Sequence, residues 1–491
     1  MSRLPYTLYR AADVRELDRI AIQAFGIAGI ELMNRAGAAL FDELCSRWPA
    51  AGHIAVVCGA GNNGGDGYVV ARLAREKGLR VTLMAPADPD TLKGDARTAW
   101  GAARAAGVTA MGFDAAVLDQ ADVLVDAIFG TGLDRPVTGP WAEAITAINR
   151  AAIPVLAVDI PSGLQADTGQ VLGVAVRAAA TVTFIGLKQG LFSAAGPEHC
   201  GVLAYDDLGV PEAVLNQVPP AAERIDWLRM KSVLPPRPRD AHKGLFGHVL
   251  VVGGNRGMAG AVRMAAEAAA RVGSGLTSVA TRPEHCAAMA AVRPEIMWQG
   301  VSGPAELRPL LQRATLVALG PGLGQDDWAR ALFETVLASG RPLVVDADGL
   351  NLLAQEPCRG QDWVLTPHPG EAGRLLQSDS ASVNGDRFVA VAQLCERYGG
   401  TVVLKGSGTL VASEHHPMAL CSGGNPGMAS GGMGDVLTGV IAGLAAQGLD
   451  LNQAAKAGVA LHAAAGDKIA LNGERGMLAG DVLTALRGLV N

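Results

Sequence analysis

The chain has 491 residues, more than one ordinary hydrophobic core organises, so two or more domains are expected. Apolar residues make up 49% and aromatics only 4%, and 63 glycines supply much of the bulk, a mix suited to close helix–strand packing in an α/β protein. The net charge of −6 comes without runs of like charge, which excludes an electrostatic footprint for nucleic acid or anionic lipid.

The first residues, "MSRLPYTLYRAADVRELDRIA", lack an apolar signal core. Asp13 followed by Glu16 reads as a helix-starting cap, with Leu17 and Ile20 on one face. A helix is therefore expected before the first strand. Short β-branched runs then alternate with Ala-rich helical stretches: "HIAVVCG", "RVTLMAP", "DVLVDAIFG", "IPVLAVDIP" and "TVTFIG" as strands, "GYVVARLAREKG" and "GPWAEAITAINRAAI" as helices. Strands separated by helices predict parallel βαβ units, and near-continuous apolar strands predict a sheet covered on both faces. The alternation stops near Val210 and resumes after Gly244, across a stretch containing Pro211, Pro219, Pro220, Pro235, Pro236 and Pro238. Proline removes backbone donors and blocks helices, so a domain junction is expected there, with a short helix in "DWLRMKSVL". The second half continues with "GHVLVVGG", "LTSVAT", "TLVALGPG", "PLVVDADG", "WVLTPHPG" and "TVVLKGSG", and shares no repeat period with the first. Apolar runs such as "AAIPVLAV" are too short to span a membrane. The seven cysteines are odd in number and never spaced C-x-x-C, so reduced, mostly buried thiols in a soluble cytoplasmic protein are expected.

The stretch "VVCGAGNNGGDGYVVARLA" places Gly59, Gly61 and Gly64 in the G-x-G-x-x-G spacing of dinucleotide-binding loops. That reading needs an acid at the end of the second strand for the ribose, and this strand ends in Met84, Ala85 and Pro86, with Asp88 beyond the proline. The loop instead carries extra oxygen donors, Asn63 and Asp66. Asp126, Asp159 and Ser162 stand at other strand ends of the same half. Strand ends in an open parallel sheet share one ligand-binding edge, so these oxygens could gather round a hard cation or move protons. Asn and Asp also cap helices and turns, the competing reading for any one of them.

The motifs "GNNGGDG", "DAIFGTGLDRPV" and "VDIPSGL" resemble the epimerase domain of the bifunctional NAD(P)H-hydrate repair enzymes, from about residue 10 to residue 215. The resemblance implies a Rossmann-like three-layer α/β/α sandwich over residues 1–218 that interconverts the R and S epimers of hydrated NADH or NADPH. It implies potassium on Asn63, Asp126 and Ser162, and substrate contact through Asn62, Asn63, Gly64, Gly65 and Asp66. A second substrate segment would comprise Gly130, Thr131, Gly132, Leu133, Asp134, Arg135 and Pro136. Asp159 would touch substrate and act as acid/base.

In the second half, "NPGMASGGMGDVLTGVIAGLAAQG" runs a glycine-rich loop into an apolar helix. Gly431, Gly432 and Gly434 let the backbone approach an anion, and Asp435 lies at the helix start. Asp435 is placed either to accept a proton from an attacking hydroxyl or to stabilise the helix end. "VVLKGSGTLV" ends a strand in Lys405, followed by Gly406, Ser407, Gly408 and Thr409. It is not a Walker A loop, and a plain hairpin turn is a fair competitor. His368 stands between two prolines ahead of a helix.

Together with "HKGLFGHVLVVGG", "GPGLG", "DADGLN" and "TPHPGE", these stretches resemble the ribokinase-like dehydratase domain of the same enzymes, over residues 226–491. The resemblance implies a second α/β/α domain that dehydrates the S epimer back to NAD(P)H at the expense of ADP. Lys405, Gly406, Ser407, Gly408, Thr409 and Gly434 would bind the nucleotide. Ala261, Gly322 and His368 would line the substrate pocket. Asp435 would touch substrate as catalytic base, and Mg2+ would shield the phosphates. Small-molecule substrates, no nucleic-acid or membrane partner and a homo-oligomer are expected. Three rivals stand beside this reading: a ribokinase-like kinase of a small alcohol, a non-catalytic cofactor sensor, and a hydride-transferring dehydrogenase.

Overall fold

The computed structural model describes residues 4–491, which divide into two compact units, 1–223 and 224–491. In the first unit the strands are β1 (Thr7–Tyr9), β2 (His53–Cys58), β3 (Arg80–Met84), β4 (Ala110–Met111), β5 (Val123–Ala127), β6 (Val155–Val158), β7 (Ala180–Phe184), β8 (Leu187–Lys188), β9 (Val202–Asp206) and β10 (Ala222–Ile225), within which the chain passes to the second unit. Seven of them form a parallel sheet in the order β4-β3-β2-β5-β6-β7-β9. Every residue of β2, β5, β6 and β7 is buried, as expected of a sheet covered on both sides. The order reverses at β2, which has β3 on one side and β5 on the other. That reversal opens a crevice at the carboxyl ends of the strands.

The N-terminus departs from expectation. The short strand β1 comes before the first helix, pairing parallel with β8 through Tyr9↔Lys188 and antiparallel with β10 through Leu8↔Ala222. The helix Ala11–Gln23 does bury Leu17 and Ile20, but Asp13 is not its cap. The cap residue is Arg10, whose backbone N–H donates to Asp13 Oδ2 at 3.0 Å from the third helical position. The acid closes the capping arrangement from inside the helix, where a carboxylate also favours the helix dipole.

The second unit carries β11 (His248–Val252), β12 (Leu276–Thr281), β13 (Met297–Gly300), β14 (Leu316–Leu319), β15 (Leu343–Val345), β16 (Trp363–Leu365), β17 (Thr401–Leu404), β18 (Thr409–Ser413) and β19 (His416–Cys421). Their order is β13-β12-β11-β14-β15-β16-β17-β18-β19. It is parallel through β17 and antiparallel over the last three. The order again reverses beside the first strand, between β11 and β14. The core gathers the helices Ala259–Arg271, Met433–Ala446 and Leu451–Ala470 with the sheet. Gly439 lets two of these helices touch, since a Cβ there would stand 2.0 Å from Ala265 O. The expected helix in the junction spans Trp227–Met230, capped by Asp226. All seven cysteines are free thiols and four are buried. No helix among the described residues is long and apolar enough to cross a membrane.

Candidate functional site

In the first unit the glycine stretch is not an open loop. The turn after β2 is three residues long, and Asn62, Asn63, Gly64, Gly65 and Asp66 already belong to the helix Asn62–Glu76. The expectation of a loop fails because the glycines serve contact between helix and strand. A Cβ on Gly64 would meet Gly59 O at 2.1 Å, and one on Gly59 would meet Ile128 O at 1.9 Å. This packing alone demands glycine at both positions, whatever ligand lies beyond.

Register brings the expected oxygen donors together. Val57 pairs with Asp126 across β2 and β5, so Asp126 lies directly beside the turn. Ser162 donates its hydroxyl to Asp126 Oδ1 at 2.6 Å and its N–H to Oδ2 at 2.9 Å. Phe129 N–H donates to Ser162 Oγ at 2.8 Å. Asn63 reaches the same corner: its Oδ1 would stand 3.0 Å from a Cβ on Gly130, while its amide nitrogen is buried without a partner. Burial raises the Asp126 carboxyl to about 6 against the lowering pull of Ser162. Thr131, Gly132, Leu133, Asp134, Arg135 and Pro136 follow as a half-buried to exposed run that continues from this corner.

Asp159 adopts a left-handed backbone, φ +66°, which is uncommon outside glycine and turns the side chain away from its strand. Its carboxylate is ion-paired with the fully buried Lys188, which also donates to Thr183 Oγ1 at 2.8 Å. Two further carboxyls share this field. Burial, the nearby Asp159 and Asp18 raise Asp66 well above the usual range. Burial and Asp159 raise Asp18 to about 6. Lys188 and Asp18 were missed in the sequence. Lys188 lies in an unremarkable "IGLKQG", and Asp18 in a helix that reads as merely amphipathic.

The second unit builds its site from five strand ends and the start of the helix Met433–Ala446. Lys405, just past β17, donates to Asp346 Oδ1 at 2.7 Å and lies 3.7 Å from Glu371 Oε2. Thr438, one turn into the helix Met433–Ala446, donates to Asp346 Oδ2 at 2.8 Å. Burial works against charge on Asp346, yet Lys405, Thr438 and Thr366 hold it below the usual carboxylate range. Gly434 abuts this pair: a Cβ there would stand 3.3 Å from Lys405 Nζ and 3.5 Å from Asp346 Oδ2. Asp435, next along, is half-buried and makes no hydrogen bond or ion pair with any described residue. Burial and the nearby Asp346 raise it to about 7. It is not the helix cap, which is Gly432 at φ +90°.

Lys405, Gly406, Ser407, Gly408 and Thr409 do form a hairpin connection, since Leu404 pairs with Leu410 across β17 and β18. The hairpin is also tethered from beneath. Arg387, buried, donates to Leu404 O, Lys405 O and Gly408 O at 3.2–3.4 Å, leaving the exposed backbone of Gly406 and Ser407 facing outward. His368 caps the helix Pro369–Leu376: its Nδ1 accepts from Gly370 N–H at 3.0 Å, and its own N–H donates to Glu371 Oε2 at 2.8 Å. Burial, Lys405 and Arg374 hold its imidazole below the usual value. Nδ1 is committed to the cap, and Nε2 lies 3.5 Å from Glu371 Oε1. Gly322 and Ala261 come together where β11 and β14 diverge, a Cβ on Gly322 standing 3.2 Å from that of Ala261. The two loops are stitched by Asn255 N–H to Gly322 O at 2.6 Å. Asp346, Glu371, Thr438 and Arg387 were not singled out in the sequence, although "DADGLN" and "TPHPGE" contain two of them. Among the described residues there is no group of three or more His, Cys, Asp or Glu placed to hold a metal ion.

The two units thus define a two-part α/β enzyme class: a parallel sheet with carboxylates at its switch point, and a ribokinase-like sheet with a carboxylate beside a bare helix start. Residues 29–190 match the family described as YjeF-related protein N-terminus, and residues 249–487 match NAD(P)H-hydrate dehydratase. A protein of Coxiella burnetii called bifunctional NAD(P)H-hydrate repair enzyme Nnr is 50% identical, covering 99% of each chain. One of the same name from Escherichia coli is 42% identical over 99% of this chain and 95% of its own. A solved chain of Enterococcus faecalis, a ribokinase-like superfamily protein, is 31% identical and superposes with a TM-score of 0.50. It covers 54% of this chain and 94% of its own. The chain belongs to the family of bifunctional NAD(P)H-hydrate repair enzymes.

Proposed function

We propose that the protein repairs hydrated NADH and NADPH in two steps, epimerising the R and S hydrates in the first unit and dehydrating the S hydrate in the second at the expense of ADP. The hydrated ring carbon bears a hydroxyl next to the ring nitrogen, so it is a hemiaminal. In the first unit the ion-paired Asp159 takes the hydroxyl proton, the bond from that carbon to the ring nitrogen breaks, and the nitrogen is protonated. Closure on the opposite face reverses each transfer and inverts the centre. Asn62, Asn63, Gly64, Gly65 and Asp66 form one wall for the ligand, and the segment from Gly130 onward another.

The corner made by Asn63, Asp126 and Ser162 suits potassium. Its donors are hard oxygens, one is a buried carboxylate, and the unpartnered Asn63 amide can turn its oxygen inward. When bound, potassium supplies positive charge that fixes these side chains and offsets the burial of Asp126.

In the second unit Asp435 takes the proton of the substrate hydroxyl, whose oxygen attacks the terminal phosphorus of ADP and releases AMP. Lys405, Gly406, Ser407, Gly408 and Thr409, with Gly434, hold the nucleotide. The ring nitrogen's lone pair then expels phosphate, and loss of a ring proton restores the reduced cofactor. Ala261, Gly322 and His368 hold the ring end. Magnesium, held through the nucleotide's own phosphates, would shield their charge. The observation that carries this reading is Asp435: an unpaired, half-buried carboxylate, raised to about 7, next to a glycine that leaves Lys405 uncovered.

The test is to incubate the protein with mixed hydrates, potassium, magnesium and either ADP or ATP, and to follow NADH absorbance. Recovery beyond the S fraction supports both steps. A stable phosphorylated product without NADH would instead favour a small-alcohol kinase.

A further inference from the structure

The helix Ala11–Gln23 lies outside the matched stretch 29–190, and no residue before Asn62 has a role in the reading above. Its placement gives it one. β1 pairs with β8 so that Tyr9 stands opposite Lys188, and the helix begins two residues later. The helix start is fastened by Ala11 N–H to Asp167 Oδ1 at 2.6 Å. One turn in, Arg15 donates to Thr131 O at 3.4 Å, in the segment assigned to substrate contact. Asp18 follows at the i+3 position, on the same side as Arg15, half-buried and within the electrostatic reach of Asp159 and Lys188.

We propose that the helix Ala11–Gln23 is a wall of the epimerase site and that Asp18 is the proton donor working opposite the Lys188-held Asp159. Ring opening needs two groups, one to remove the hydroxyl proton and one to protonate the ring nitrogen as its bond to carbon breaks. Asp159, tied to an ammonium, is suited to the first task. Asp18 supplies the second proton and recovers it when the ring closes on the other face, so both residues return to their starting states. Two protons move, one carbon–nitrogen bond breaks and re-forms, and nothing else is consumed.

Asp66 is the competing donor. Burial, Asp159 and Asp18 raise its carboxyl well above the usual range, whereas burial and Asp159 raise Asp18 to about 6, near the working pH where proton exchange is most effective. The charged groups acting on Asp18 are Asp159 and Lys188 from the strand ends, and the titratable Asp66 of the helix Asn62–Glu76 in turn feels the charge of Asp18. Its own helix adds Arg15, Glu16 and Arg19, and the short helix Glu212–Leu215 packed on it adds the exposed Glu212.

This inference rests on the epimerase reading and is tested separately from it. Epimerisation is followed directly by chromatographic separation of the R and S hydrates, across pH, for the full-length protein, Asp18→Asn, Asp18→Glu and Asp159→Asn. Epimerisation in the parent protein should fall as pH rises past about 6. Asp18→Asn should lower kcat at least tenfold with KM within twofold and lose that limb. Asp18→Glu should restore most of the rate with the limb displaced. Parent-like rates in Asp18→Asn, or a slowed variant that keeps the same limb, would overturn the proposal. If Asp18→Asn does not fold, an unmoved limb in Asp18→Glu does so. Full activity in Asp159→Asn would instead defeat the epimerase reading.

Discussion

Lys405 Nζ lies 2.7 Å from one oxygen of Asp346, and Thr438 donates to the other at 2.8 Å. This closed pair sets the electrostatics of the second unit. Asp346 is buried and Lys405 half-buried, so each charge offsets what the other loses in water contact. The pair holds a lysine ready at a glycine-lined surface, and the carboxylate's negative charge helps to keep Asp435 protonated until about pH 7.

Asp435 acts as a base only once ionised, so S-hydrate dehydration should climb as pH rises through about 7, seen as an acid limb in kcat/KM. Asp346→Asn removes a like charge from its neighbourhood and should move that limb to lower pH. Asp435→Asn should abolish NADH recovery by at least a thousandfold while leaving ADP binding, measured by calorimetry, within a few-fold.

Gly434→Ala should separate binding from folding. The added methyl would stand 3.3 Å from Lys405 Nζ, the end of a flexible side chain, so the thermal midpoint should change little. The same methyl occupies the approach to the helix start. ADP affinity should fall about tenfold, roughly 1.4 kcal/mol, as measured by calorimetry.

The Asp159–Lys188 pair separates activity from stability. Asp159→Asn tolerates the left-handed backbone but leaves a buried ammonium unmatched, a loss of about 3–5 kcal/mol for a broken buried pair. Adding Lys188→Met should recover most of that in denaturant unfolding. R-hydrate repair should be lost in both variants, whereas S-hydrate dehydration should survive. Equal loss of both activities would contradict two separate sites.

Potassium should act through binding to the folded state. Titrating potassium against choline at constant ionic strength should raise the thermal midpoint, since a ligand at about a hundred times its Kd adds about 2.7 kcal/mol. Asp126→Asn and Ser162→Ala should each remove the shift and slow epimerisation. A midpoint indifferent to potassium in the parent protein would count against this cation site.

The parallel sheets and the strand-end acids were legible because β-branched runs broken by glycine have few other solutions, and an Asp at the end of such a run stands out. Asp126, Asp159 and Ser162 stand out that way. Lys188 does not, because a lone lysine beside apolar residues reads as a solvated side chain until the fold closes over it. Asp346 carries no visible role in the sequence because its meaning comes from Lys405, 59 residues later. Asp18 was hidden by helical periodicity, which explains its position without revealing what stands across from it. Asp13 was misplaced by three residues because an acid near a helix start fits both the cap and the third position, and only the backbone separates the two.

The missing side chains at Gly59 and Gly64 also constrain any redesign. They bring the helix start against the strand ends so closely that the floor of the cleft has almost no freedom to move or widen. A protein engineer seeking a catalyst for a bulkier heterocycle should leave that floor alone and work on exposed positions proposed above to contact substrate, Asn62, Asp134 and Arg135, where size and polarity can change without parting helix from sheet.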